Sequence, residues 1–113
     1  MDELKKYLPQ LRYLFFYVKK QKRAAYVKYA NVGIVTILWQ CALNLVYSNK
    51  NNIQLNKSQI KLLQRHKAGL NRLLQAESTK DRRKFLTNDI VDVILAVLIP
   101  YISKTNFLEN GPF

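Results

Sequence analysis

Residues 31–49 read NVGIVTILWQCALNLVYSN, a stretch without one charged side chain in a protein whose formal net charge is +12. Its apolar residues Ile34, Val35, Ile37, Leu38, Trp39, Cys41, Ala42, Leu43, Leu45 and Val46 fall on every face of a helix that turns about 100° per residue. A helix that is apolar all round must be surrounded by other elements, so this segment predicts the centre of the fold. Asn31 is placed to act as its N-cap. Val32 to Ser48 spans 17 residues and includes Thr36, Gln40 and Asn44, short of the roughly 20 apolar residues a membrane span requires. The segment is therefore read as a core helix, with Trp39 as an anchor of that core.

Outward from this segment the charge is distributed unevenly. Residues 1–30 hold 8 Lys/Arg against 2 Asp/Glu, residues 50–84 hold 10 against 2, and residues 85–113 hold 1 against 3. With a sequence pI near 10.0, a surplus of this size favours a polyanionic partner, because cations that neutralise phosphates release condensed counterions. Hydrophobic residues make up 49% of the 113, enough for a real core, so the chain is expected to fold as a single domain over residues 1–113. Three Gly and three Pro point to helices rather than sheets. The fold expected is all-α, a compact bundle of five to six helices around the central apolar one.

Periodicity and punctuation place the remaining helices. Asp2 is positioned to cap a first helix to about Tyr7, which Pro9 is expected to break, with Leu11, Leu14, Phe15 and Val18 repeating beyond it. A short second helix is expected near Gln21–Tyr29, a polar turn over Ser48–Asn52, and a fourth helix over about Lys57–Ala76 capped by Asn56 or Ser58. Thr79 is read as the cap of a fifth. A hydrophobic C-terminal helix follows over residues 88–102, with 103–113 as a tail. Ile90 to Ile102 has more apolar surface than an exposed helix tolerates, so it is expected to bury against the domain or against a second copy. A membrane-surface role for it is the alternative.

Three basic clusters are the candidate binding residues. On a single helix Lys57, Lys61, Arg65 and Arg72 project at about 0°, 40°, 80° and 60°, opposite an apolar arc of Ile60, Leu63, Leu70 and Leu74. Lys67 falls near that arc, where it is expected to snorkel. Lys19, Lys20, Lys22 and Arg23 form a second cluster, and Lys80, Arg82, Arg83 and Lys84 a third, each suited to phosphates without reading bases. The third fits a nuclear localisation signal equally well. Tyr7, Tyr13, Tyr17, Tyr26 and Tyr29 interleave with basic residues and are read as half-buried with wet hydroxyls, stacking on bases being the alternative.

Catalysis finds no support. His66 has no carboxylate near it in sequence, Asp89 and Asp92 are explained by the dipole of the helix they begin, and Cys41 lies in an apolar run. No Cys/His cluster, Gly-rich phosphate loop or cofactor motif is present. A lone cysteine suits a reducing compartment, and Met1–Gln10 lacks the apolar run of a signal peptide. The expectation is a non-enzymatic, non-exported protein with no cofactor and no metal.

The order QCALNLVYSNKNNIQLNKSQIKLLQRHKAGLNRLL over residues 40–74, then KDRRKFL and a hydrophobic segment, resembles the small basic proteins of Maverick/Polinton-type elements and adintoviruses. That family is likened to the adenovirus core protein X, the precursor of the Mu peptide. Its Cys-Ala-Leu-Asn helix and basic Arg-His-Lys helix correspond here to Cys41–Asn44 and Arg65–Lys67. Where the family carries a Gly-Gly-Phe-Leu junction, this chain reads Leu86-Thr87-Asn88-Asp89. The resemblance implies a virion-associated protein that condenses double-stranded DNA, found in the virion and the host nucleus, with a capsid protein as a further partner. No homeodomain, zinc-finger or basic-zipper pattern accompanies it, so binding is expected to be mostly non-specific. The rival class is a membrane-surface or capsid-interaction protein that uses the basic helices and the hydrophobic C-terminal helix.

Overall fold

Leu4, Leu8, Leu11 and Leu14 share one stripe of the first helix, and all four are buried. That stripe explains why α1 runs uninterrupted over Asp2–Phe16 with Pro9 inside it. The expected break does not occur, because Pro9 and Lys5, whose carbonyl loses its partner, both lie on the exposed face. There water can satisfy the freed oxygen while the buried leucines hold the turns in line. The structure, a computed structural model, describes residues 2–48 and 53–104.

A 3₁₀ turn over Lys20–Lys22 leads into α2, Arg23–Tyr29, and α3 follows over Val32–Val46. The Asn31 side chain accepts from the Ile34 amide at 3.1 Å, the N-cap its position predicts. On α3, Ile34, Val35, Ile37, Leu38, Cys41, Ala42 and Leu45 are buried, and the helix packs on α1 and on three later helices, α5 (Lys67–Gln75), α6 (Thr79–Phe85) and α7 (Asn88–Lys104). Of the polar turn expected at Ser48–Asn52, residues 49–52 lie outside the described residues.

The expected fourth helix is two helices, α4 over Lys57–Arg65 and α5 over Lys67–Gln75, interrupted at His66 with φ −106° and ψ 18°. The two halves pack on different elements: α4 lies on α7, whereas α5 buries Leu70 and Leu73 between α3 and α6. Helix α6, Thr79–Phe85, is capped by Ser78 rather than Thr79, the Ser78 hydroxyl accepting from the Asp81 amide at 3.1 Å.

The last helix, α7, spans Asn88–Lys104, two residues beyond the expected end. Its Ile90, Val91, Val93, Ile94, Leu95, Val97, Leu98 and Ile99 are all buried in one cluster with residues of the other helices. Each such aliphatic side chain contributes about 1.5–3 kcal/mol on burial, so α7 shares the centre with α3. Residues 105–113 of the expected tail lie outside the described residues. The fold is all-α, with seven α-helices and no strand among the described residues, against the five or six expected.

Trp39 is half-buried rather than central. Its indole Nε1 donates to the Leu73 carbonyl at 3.1 Å, and the Arg82 guanidinium lies 4.2 Å from the ring centroid. It ties α3 to α5 and α6 at the rim of the core.

Candidate nucleic-acid interface

A helix leaves its last carbonyls without intrahelical partners, and with three glycines in the chain few can end in the glycine motif that usually satisfies them. Arginines take that role here. Arg23, 7% exposed, donates from Nε to the carbonyls of Leu14 and Val18, each at 3.2 Å, and from Nη2 to that of Phe15 at 2.7 Å. Its Nη1 pairs with Asp92 at 2.5 Å, so the guanidinium closes the end of α1 and binds it to α7. Arg83 donates from Nη1 to the carbonyls of Val27, Lys28 and Ala30 at 2.8, 3.0 and 2.8 Å, closing the end of α2. Arg82 donates to the Ala76 carbonyl at the end of α5 at 3.3 Å. Three arginines from the two basic runs are thus held by helix ends. Arg23 in particular is removed from the phosphate-binding surface expected of it.

The lysines of those runs remain outside. Lys19, Lys22, Lys80 and Lys84 are exposed, while Lys20 bridges Asp89 and Asp92 at 3.6 Å each. The two aspartates therefore do more than complement a helix dipole: with Lys20 and Arg23 they form all the ion pairs among the described residues. No local pattern reveals the Arg23–Asp92 pair, whose partners stand 69 residues apart.

Helix α4 begins with a capping box in which Asn56 and Gln59 exchange side-chain-to-backbone bonds at 2.8 and 2.9 Å. This fixes the phase of Lys57, Lys61 and Arg65, which are all exposed and follow one another by four residues. They form one stripe with no ion-pair partner among the described residues, and Leu62 and Leu63 pack against the core behind it. Arg72 is exposed as well, but it belongs to α5, and the interruption at His66 removes the angular argument that put it on the same stripe. Lys67 lines a shallow groove with Ile60, Leu63 and Leu70, as a snorkelling lysine does.

A second basic surface is a groove of about 860 Å³ between α2, α6 and the start of α7. Lys28 and Tyr29 come from α2, Lys80, Arg83 and Lys84 from α6, and Ala24, Ala25 and Leu86 supply apolar wall. Asn88 holds the walls in place, donating to the Gln21 carbonyl at 2.9 Å and accepting from the Ala24 amide at 2.7 Å. Sequence reasoning missed Lys28 because it stands outside the runs, although four residues separate it from Ala24 on the same helical face.

The tyrosines divide. Tyr7 and Tyr26 are half-buried against the core, but Tyr13, Tyr17 and Tyr29 are 51%, 78% and 82% exposed, contrary to the expectation for them. Tyr13, on the face of α1 away from its leucine stripe, stacks on Tyr17 just beyond the end of the helix with centroids 5.7 Å apart.

Cys41 is fully enclosed, and burial pushes its thiol up from 9.0 to about 12. Such a thiol is a poor nucleophile. Among the described residues no group of His, Cys, Asp and Glu comes together to hold a metal ion, and no helix is long and apolar enough to cross a membrane. The chain matches no protein-family model, no curated protein and no solved structure.

Proposed function

We propose that this protein binds double-stranded DNA through its phosphate backbone and condenses it, without enzymatic activity. The observation that carries the reading is the stripe Lys57, Lys61 and Arg65 on α4, exposed and without an acidic partner among the described residues. Like charges four residues apart cost an isolated helix a few tenths of a kcal/mol, about 0.2–0.5 per pair. A row of phosphates offsets that cost and gains counterion release. Lys19, Lys22, Lys80 and Lys84 extend the same field over other faces of the domain, which is what crosslinking and compaction of duplexes require.

Contacts of this kind position a protein without reading sequence. Affinity is therefore equal on duplexes of different base composition, and its logarithm falls linearly with the logarithm of salt concentration. Fluorescence anisotropy on labelled random duplexes between about 50 and 200 mM salt measures both, the range over which phosphate contacts weaken most visibly. Absence of binding at the low-salt end defeats the proposal. The virion and nuclear setting, and a capsid protein as second partner, rest on the resemblance of residues 40–74. Against the membrane-surface alternative stands the burial of Ile90, Val91, Val93, Ile94, Leu95, Val97, Leu98 and Ile99 of α7 within the protein's own core. Flotation with anionic liposomes at matched salt checks that reading separately.

A further inference from the structure

The groove between α2 and α6 differs in kind from the stripe on α4: it is concave, largely apolar, and has a guanidinium fixed in its wall. Three helix-end carbonyls hold Nη1 of Arg83, whereas Nε and Nη2 make no hydrogen bond to the described residues. Yet no buried side-chain nitrogen or oxygen among those residues lacks a partner, so these two nitrogens reach solvent. Together they form the side-on edge of the guanidinium, which matches two oxygens of one phosphate. Immobilising the opposite corner of the fork means that little rotamer entropy remains to be lost when the edge binds. Lys80 and Lys84 line the same groove, from the same helix as Arg83, and Lys28 lines it from α2, its Nζ 5.8 Å from the Tyr29 ring centroid.

Phosphate alone does not account for the apolar wall or for Tyr29, a ring 82% exposed at the groove. An intact duplex offers the ring no base face to stack on, because its bases are stacked on one another and present only their edges in the grooves. We propose that this groove seats a nucleotide of single-stranded nucleic acid. Its phosphate lies on the Nε–Nη2 edge of Arg83 with Lys80 and Lys84, and its unstacked base lies on Tyr29 and the Ala24–Ala25 wall. This goes beyond the duplex reading and does not depend on it. A condensing protein with such a groove would hold strand ends and unpaired stretches as well as duplex.

The test uses the whole protein, a short labelled oligo-dT and a labelled random duplex. Tyr29→Ala should weaken oligo-dT binding about fivefold or more, the lower bound for removing one base–aromatic stack. Tyr29→Phe should restore it, and neither should change duplex affinity. Folding is not at risk, because the ring is exposed. Lys80→Ala with Lys84→Ala should weaken oligo-dT binding and flatten its log–log salt dependence by roughly 0.7 for each phosphate no longer neutralised. Three results overturn the inference: wild-type protein that does not bind oligo-dT, Tyr29→Ala that binds it as wild type does, or competition by poly-glutamate as effective as by unlabelled oligo-dT. The duplex reading is judged on other residues, Lys57, Lys61 and Arg65, so each can fail alone.

Discussion

Arg23 shows how little a side chain's formal charge says about its role. It stands in a run with Lys19, Lys20 and Lys22, yet it alone turns inward, where three carbonyls and Asp92 meet its planar fork. A lysine ammonium could not span them. Removing one partner of a buried pair costs about 3–5 kcal/mol when both are desolvated, and the Asp92 side chain is 28% exposed. Arg23→Met should therefore destabilise by about 3 kcal/mol, near the lower end of that range, in urea denaturation. Asp92→Asn should cost less, because the carbonyl bonds of Arg23 survive it. Equal losses in the two variants would show that the ion pair, not the closure of α1, is the stabilising element.

Cys41 makes a second prediction at this scale. Its thiol is held up to about 12 in the fold against an ordinary 9.0. The unfolded chain therefore loses a proton near pH 9 that the folded chain keeps, and stability attributable to Cys41 is full below pH 9 and falls above it. The slope is about 1.4 kcal/mol per pH unit until the folded thiol titrates. Cys41→Ala removes this slope and adds a pH-independent cavity cost. Urea midpoints at pH 8 and pH 10 for both proteins measure the difference. Parallel pH dependence would mean that the thiol is accessible.

At the scale of elements, α1 and α3 approach each other closely at Gly33. A Cβ at Gly33 would lie 2.0 Å from the Tyr7 hydroxyl oxygen and 2.2 Å from Cζ, so the helices cross where α3 has no side chain. Gly33→Ala gains about 1 kcal/mol of helix propensity but forces the ring away, and overpacking costs about 1–3 kcal/mol. A net loss of stability is expected. Combining it with Tyr7→Ala should turn the alanine at 33 from harmful to favourable, a coupling that calorimetric melting of the two singles and the double resolves. If the two changes add, Tyr7 is not what meets the new methyl group.

Element by element, the sequence discloses what local chemistry decides. The charge-free run disclosed α3, and Asn31 and Asn56 disclosed two helix starts through side-chain capping within three residues. Pro9 misled, since propensity assigns its penalty to the turn it breaks, whereas here four buried leucines on the same helix outweigh it. The interruption at His66 was hidden for the complementary reason: residues 57–75 are locally helical throughout, and only the separate partners of α4 and α5 divide them. The candidate site was half legible. Exposed lysines were recognisable as runs, but the groove joins residues more than fifty positions apart, and the arginines that shape it act through carbonyls that no side-chain pattern encodes.

Over the whole molecule, the structure separates two tasks that the sequence mixes. Arginines from the basic runs hold helix ends, α3 and α7 supply most of the core with the leucines of α1 and α5 packed on them, and lysines carry most of the outward charge. A domain arranged in this way keeps its fold when surface lysines are removed, so binding can be tested without loss of structure. The most direct measurement is the salt dependence of duplex affinity for wild type and for the combined Lys57→Ala, Lys61→Ala and Arg65→Ala variant, after matched melting curves have verified folding. Backbone neutralisation contributes a log–log slope of roughly 0.9 per phosphate contact. The variant should therefore lose about 2–3 units of slope and weaken alike on every duplex sequence. A variant that binds random duplex with wild-type affinity and wild-type slope would contradict the account and leave the α4 stripe a solvated face.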